Sequence, residues 1–355
     1  MIRQSRKLDH LKYAMALKDG PVANGFNDFS LIHNCLPDIA SSDVTLSCTL
    51  CGLELNHPVI INAVTGGDKD VTEVNAKLAE FARQTNSVMA VGSQFAAIES
   101  PEVEESFNIV NTVNPDGIVF ANIGAHATAK QAELAVKMIK AKAIQIHLNT
   151  AQELIMGEGD RDFSGYLENI SLIAAAVNVP VIVKEVGCGI AKEQAIKLFQ
   201  AGVKAIDVGG VGGTNFLAIE AARNKSDLDK ETLSWGIPTA ISTVETLSVL
   251  PSNREVIVSG GLRTPLEVVK AIALGGSAVG IANPILRLVL KNDMPGAVAA
   301  FKEFLVKVKL YMTLLGAKTI QDLHSVPIII TGKSKDWLTA RNIDITQFAN
   351  RQKHG

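Results

Sequence analysis

Apolar positions recur along the chain in short, nearly continuous runs rather than in strict alternation. Such runs at 59–63, 87–91, 117–122, 143–148, 180–184, 205–208, 255–259 and 277–282 are rich in Val, Ile and Ala, as expected for parallel strands buried on both faces. Between them the spacing changes to that of a helix. Ala195, Leu198 and Phe199 fall on one helical face, and Gly202 stands where that helix should end.

Repeated strand and helix segments fit either a doubly wound open sheet or a closed (β/α)8 TIM barrel, both of the α/β class. The last two strands favour the barrel. The first of them is followed by Gly260-Gly261-Leu262-Arg263-Thr264-Pro265, and the second ends in Ala282 before Asn283-Pro284 opens an apolar helix. Glycines let backbone amides approach an anion, proline suits a first helical turn, and the loops after the seventh and eighth barrel strands commonly bind phosphate. Gly260, Gly261, Arg263, Ala282 and Asn283 therefore form a candidate phosphate cradle for a cofactor. Residues 1–58 precede the barrel as an N-terminal extension of a single domain spanning 1–355. The extension begins with the basic cluster Arg6-Lys7-Leu8-Asp9-His10 on a helix reaching Leu17, which is either a solvated helix end or a grip for a diphosphate. The stretch 43–55 reads as a hairpin able to plug the lower end of the barrel.

Polar residues gather at the strand ends. Thr65-Gly66-Gly67, Gly92-Ser93-Gln94 and Asn122-Ile123-Gly124 each follow or close a strand, where a barrel builds its site. His147 and Asn149 alternate along the fourth strand and share a face, with Gln152 and Glu153 just beyond its end. A lone histidine there is a satisfied core residue. With an amide and a carboxylate beside it, the better reading is a polar centre in which Glu153 offers a hard oxygen to Mg²⁺ and Gln152 a non-titrating hydrogen bond. The acidic stretch 157–162 reads as a mobile loop. Lys184 closes the fifth strand, reaching either solvent or an anion over the mouth. The glycine-dense Gly209-Gly210-Val211-Gly212-Gly213-Thr214 suits close passage over a ligand, and the long segment to Arg254, holding Trp235 to Ala240, reads as an insertion that shapes the pocket.

Composition adds mainly exclusions. The chain has 355 residues, 47% hydrophobic and 20% charged, with a net charge of −2, which supplies no basic field for nucleic acid. No apolar run reaches membrane-spanning length and the polar N-terminus lacks a signal-like segment, so a cytoplasmic protein is expected. Four cysteines include the pair Cys48 and Cys51, which with no second ligand pair nearby reads as reduced structural thiols rather than a zinc site.

The motifs Arg6-Lys7-x-x-His10, Thr65-Gly66-Gly67, Gly92-Ser93-Gln94, His147-Leu148-Asn149-x-x-Gln152-Glu153, Val183-Lys184-Glu185, Gly212-Gly213-Thr214, Trp235-Gly-Ile-Pro-Thr-Ala240 and Ser259-Gly260-Gly261 span most of the chain. In this order they resemble type 2, flavin-dependent isopentenyl-diphosphate isomerase. The resemblance implies an FMN-binding barrel that interconverts isopentenyl and dimethylallyl diphosphate, requires Mg²⁺ and reduced flavin, uses NADPH as reductant, and assembles as a homo-oligomer, tetrameric or octameric. Carried over by position, FMN contacts Ala63, Val64, Thr65, Ser93, Asn122, Lys184 and Thr214. The substrate meets Arg6, Lys7, His10, Ser93, Gln94, Asn149 and Gln152, and Glu153 binds the metal. Gln152, Lys184 and His147 are the catalytic candidates: Lys184 holding the flavin anionic, Gln152 orienting the proton path, His147 near the substrate. The chain departs from the family pattern at Phe95, where Arg is usual, at Asn215-Phe216, where Ser-Trp is usual, and at Val64 for Met. Rival readings are an FMN-dependent oxidoreductase of the 2-hydroxy-acid oxidase or dihydroorotate dehydrogenase kind and a non-catalytic phosphate-binding barrel.

Overall fold

The structure, a computed structural model, describes residues 2–17 and 19–351, with side chains from residue 8 onward. The eight predicted runs form eight parallel strands: β1 Val59–Ile61, β2 Val88–Ala90, β3 Val119–Gly124, β4 Ala143–Leu148, β5 Val181–Glu185, β6 Ala205–Asp207, β7 Glu255–Ser259 and β8 Ala278–Ile281. Neighbours pair in chain order, and β8 closes on β1 with Val279 opposite Val59 and Ile281 opposite Ile61. The sheet is a barrel, not an open doubly wound sheet. Several strands are shorter than their apolar runs, yet the flanking residues stay close to the sheet: Asn62 N and Val91 N still donate to Ile281 O and Phe120 O at 3.1 Å. The helices used below are α1 Ile2–Ala16, α2 Thr150–Ile155, α3 Phe216–Asn224, α4 Thr239–Leu247, α5 Pro265–Leu274 and α6 Asn283–Lys291.

Strand alternation divides the apolar core in two. Val59, Ile61, Val183 and Val258 face the surrounding helices, whereas Ile60, Ile182 and Ile257 face into the barrel. At the lower end the interior is filled from outside. The strands Cys48–Leu50 and Leu53–Leu55 pair as an antiparallel hairpin, and Leu50 and Leu55 join the inward cluster. The backbone N–H of Cys51 donates to Glu255 Oε2 at 2.7 Å, fixing the hairpin to the foot of β7. Burial, then Glu54 and Glu255, push the Cys48 thiol up to about 12.

Helix α1 packs against α3 and α6, sending Leu11 and Met15 towards the core. Its last carbonyls find partners on α6: Asn283 Nδ2 donates to Ala14 O at 2.9 Å, and Arg287 Nη2 to Ala14 O and Leu17 O at 2.8 and 2.7 Å. The helix end is thus satisfied by the barrel itself. The segment 209–254 is not a loop-like insertion. It holds α3, a short helix Lys230–Leu233 and α4, and Trp235 is 70% exposed. Its first part lines the mouth directly through Gly209, Gly210, Gly213, Thr214 and Phe216, whereas the stretch from Trp235 to Ala240 contributes indirectly, Thr239 Oγ1 donating to Gly260 O at 2.6 Å. Near the C-terminus, Ile328–Ile330 pairs with Phe29–Leu31, and fully buried Glu245 accepts N–H bonds from Trp337 and Arg341 at 2.8 and 2.9 Å. Among the described residues no helix is long and apolar enough to cross a membrane.

If the hairpin is the barrel's lower plug, Leu50→Ala leaves a cavity in a fully buried cluster. It should cost about 2–5 kcal/mol in urea unfolding, with the strand-end chemistry untouched. Unchanged stability would show that the barrel closes without it.

Candidate active site

A cavity of about 260 Å³ lies at the C-terminal ends of the strands. The rim residues converge there because a closed parallel barrel turns every βα loop to the same end. His147, Asn149, Gln152 and Glu153 line it from β4 and α2, Ser93 and Asn122 from β2 and β3, and Lys184 from β5. Ala63, Val64, Thr214, Gly260, Gly261, Ala282 and Asn283 complete the wall on the side of the cradle, and His10 of α1 closes it from above. Phe95 also lines the cavity, packed edge-on against His126 with ring centroids 4.5 Å apart. An aromatic pair therefore stands at the position where the family pattern has arginine.

Three of the candidate residues do not line the cavity. Gln94 is fully buried, and its amide is consumed by the scaffold: Nε2 donates to Ala135 O at 2.9 Å and Oε1 accepts from Asn122 N at 3.0 Å. It holds β3 rather than facing the cavity. Thr65 is buried and is not a lining residue, although its hydroxyl has no hydrogen-bond partner among the described residues. Arg263 does not line the cavity. Its Nη2 donates to Asp19 Oδ2 at 2.7 Å and to Gly212 O at 2.6 Å, and its Nη1 to Gly261 O at 2.6 Å, so it staples the N-terminal extension to the loops after β6 and β7. The side chains of Arg6 and Lys7 lie outside the described residues.

The cradle itself is built by backbone on backbone. A Cβ on Gly261, at φ +80°, would come within 2.1 Å of Gly212 O, and one on Gly213 within 2.6 Å of Gly261 N. Only glycine lets these two loops meet. Of the two helix ends beside them, that of α5 is taken by Glu267, whose Oε2 accepts from the amides of Arg263 and Thr264 at 2.8 and 3.0 Å. The start of α6 has no side-chain cap, and Asn283 Oδ1 is buried there with no partner among the described residues. The missing cap, not the Asn283 oxygen, which can only accept, makes the α6 end the better place for an anion.

The opposite wall is organised by a residue that sequence reasoning passed over. Glu220 on α3 is fully buried. Its Oε1 accepts from Gln152 Nε2 at 2.6 Å and lies 2.7 Å from His10 Nε2, while Oε2 accepts from Arg223 Nε at 2.8 Å. Arg223 Nη2 in turn pairs with Glu158 at 2.7 Å. Burial raises the Glu220 pKa, but the bonds from His10, Gln152 and Arg223 outweigh it and bring it down to about 2. The only hint in the sequence is Arg223 one turn further on, a spacing equally suited to a solvated helix face. Next to it, Glu153 Oε1 accepts from Asn149 Nδ2 at 2.8 Å and Oε2 from Asp160 N at 3.0 Å. The loop 157–162 is gathered by Arg161, which donates to the carbonyls of Glu153, Met156, Gly159 and Asp160.

Because its pKa is depressed in the folded state, Glu220 contributes stability that is complete above about pH 4.3, the usual glutamate value, and is lost as pH falls towards 2. Unfolding free energies measured from pH 7 downwards should show wild type losing its advantage over Glu220→Gln below about pH 4. A difference independent of pH would contradict the pairing.

The profile of the FMN-dependent dehydrogenase family matches residues 119–329. Isopentenyl-diphosphate delta-isomerase of Geobacillus sp. (strain WCH70) is 48% identical over 352 residues, covering 99% of this chain and 100% of that protein. Those of Bacillus pumilus (strain SAFR-032) and Staphylococcus aureus are 45% and 42% identical, covering 99% and 97% of this chain and 98% of each relative. Among solved structures, a mandelate oxidase variant with (S)-mandelic acid superposes at a TM-score of 0.66 over 93% of this chain and 98% of that one. Pediococcus acidilactici lactate oxidase also gives 0.66, over 91% and 87%. Both are 18% identical, a likeness of fold alone. Sequence shared end to end with the first group, on a barrel whose mouth gathers the residues described above, places this chain in the isopentenyl-diphosphate delta-isomerase family, in its type 2, flavin-dependent form.

Proposed function

We propose that the chain interconverts isopentenyl and dimethylallyl diphosphate by adding a proton at one carbon and removing one from its neighbour, with FMN and Mg²⁺ at the barrel mouth. The observation that carries this reading is the Glu220 network, which ties His10 of the N-terminal helix and Gln152 of the barrel into one wall of one cavity. That juxtaposition supports a diphosphate bound by the extension beside a proton-handling centre on the strands.

The donor set suits a flavin phosphate and ring. The uncapped α6 start and the glycine loops would hold the phosphate through backbone N–H groups, and Ala63, Val64, Ser93, Asn122, Lys184 and Thr214 would hold the ring. When bound and reduced, with NADPH as the reductant, the flavin supplies a proton-exchanging nitrogen and an electron-rich ring. Lys184 places a cation at the floor of the mouth, anchored by its bond to Glu185 O at 2.8 Å, where it favours negative charge on a bound group. Gln152 is held rigidly: with Nε2 committed to Glu220, its oxygen is the side of the amide left to accept a hydrogen bond, and it does so without titrating. Diphosphate binding by the extension supplies energy remote from the reacting carbons. Glu153 offers the metal a single carboxylate, so the other ligands would be substrate oxygens and water. The same reading expects a cytoplasmic homo-oligomer.

Anaerobic incubation with isopentenyl diphosphate, Mg²⁺, FMN and reductant should accumulate the dimethylallyl isomer with no stoichiometric consumption of reductant. Oxidation of a 2-hydroxy acid in place of isomer formation would favour the oxidoreductase alternative. Within the assay, Glu153→Gln should keep fold and flavin but lose activity in a manner partly recovered by raised Mg²⁺, since weakened coordination is a mass-action defect. Metal dependence identical to wild type would refute the ligand assignment.

A further inference from the structure

Beneath the cavity, side chains from five strands form one continuous chain of hydrogen bonds across the barrel. His147 Nδ1 lies 2.8 Å from Asn122 Oδ1, Asn122 Nδ2 donates to Gln145 Oε1 at 3.1 Å, Gln145 Nε2 to Asn62 Oδ1 at 2.9 Å, and Asn62 Nδ2 to Asp207 Oδ2 at 2.7 Å. Asn62, Asn122, Gln145 and Asp207 are all at most 3% exposed. Ser259 closes the far end by donating to Asp207 Oδ1, and Lys184 Nζ stands 3.8 Å from Asp207 Oδ2.

Every link runs in the same direction, and the terminus explains why. A primary amide offers donors on one side and an acceptor on the other, so a row of amides has two equivalent polarities until something breaks the symmetry. An ionised carboxylate can only accept. Reversing the row would set Asn62 oxygen against the buried Asp207 carboxylate, two acceptors at hydrogen-bond distance with no proton between them, at a cost of several kcal/mol by the scale of unpaired buried polar groups. The backbone N–H of Ala63, donating to Asn62 Oδ1 at 3.0 Å, enforces the same orientation independently. Once Asn62 is fixed, Gln145 and Asn122 follow, and Asn122 must show its oxygen to the imidazole. The nitrogen facing it then carries the hydrogen.

We propose that Asp207 is a positioning residue that acts across the barrel. Through Asn62, Gln145 and Asn122 it fixes His147 as the tautomer protonated at Nδ1, so that neutral His147 has its lone pair at Nε2, while the same carboxylate anchors Lys184. One buried carboxylate thus sets both the donor and the acceptor character of the cavity floor. The catalytic use of these two groups rests on the isomerase reading; the tautomer itself does not.

The test uses the full-length protein labelled with ¹⁵N-histidine, with the His147 signals assigned by their loss in His147→Gln. At a pH where the imidazole is neutral, one-bond coupling to hydrogen should be found at Nδ1 and not at Nε2. Asp207→Asn, and Gln145→Met, which cuts the row while leaving Asp207 beside Lys184, should each shift His147 towards the Nε2–H form. Each should also lower kcat by about 10- to 100-fold, the range for residues that orient a functional histidine. A proton on Nε2 in the wild-type protein overturns the proposal without any variant needing to fold. Retention of the Nδ1–H form in both folded variants overturns the long-range part of it. An inactive protein with His147 still protonated at Nδ1 would instead count against the isomerase reading and leave the tautomer assignment standing.

Discussion

Closure of eight parallel strands on themselves is the constraint from which the rest follows. With β8 paired to β1 no sheet edge remains to be protected, and every strand must deliver its C-terminal end to one rim. The two ends of the barrel then face opposite problems. Below, the interior needs filling, and the hairpin supplies Leu50 and Leu55. Above, the strand ends are crowded with polar side chains, and those chains must satisfy one another or a ligand.

Two fully buried carboxylates solve most of that problem, each collecting donors from several elements. Asp207 takes Asn62 and Ser259 with Lys184 nearby, and Glu220 takes Gln152 and Arg223 with His10. A buried charge costs several kcal/mol in lost hydration, so neither would persist without these partners. The arrangement has a functional consequence. Lys184 and His147 are held by the first network and Gln152 by the second, so the candidate catalytic groups sit on rigid supports instead of mobile loops. The N-terminal helix is tied to the same frame, through His10 to Glu220 and through Ala14 and Leu17 to α6.

The barrel was legible in the sequence because buried parallel strands are apolar almost throughout, and that pattern survives without any knowledge of partners. The rim was legible in part. Ser93, Asn122, His147, Asn149, Gln152, Glu153 and Lys184 all line the cavity, because position at a strand end predicts position at the rim. What a side chain does after leaving the strand was not legible. Gln94 follows Ser93 directly, yet its side chain turns into the scaffold, and Arg263 spends its guanidinium on Asp19, a residue far away in sequence. Glu220 was missed because a glutamate on a helix ordinarily faces solvent, and only the tertiary arrangement reveals three partners around it. Gln145 carried a usable signal: it precedes His147 and Asn149 at the same two-residue spacing, so the strand's polar face began one step earlier than supposed.

The proposed catalysis requires the mouth between the glycine loops and Lys184 to be the flavin site. Titrating flavin-stripped protein with FMN, followed by quenching of flavin fluorescence, tests this directly. One FMN should bind per chain, and Lys184→Ala, with an unchanged far-UV spectrum, should bind it more weakly, with the larger loss in the reduced form. Absence of binding, or equal affinity in wild type and variant for both oxidation states, would contradict it.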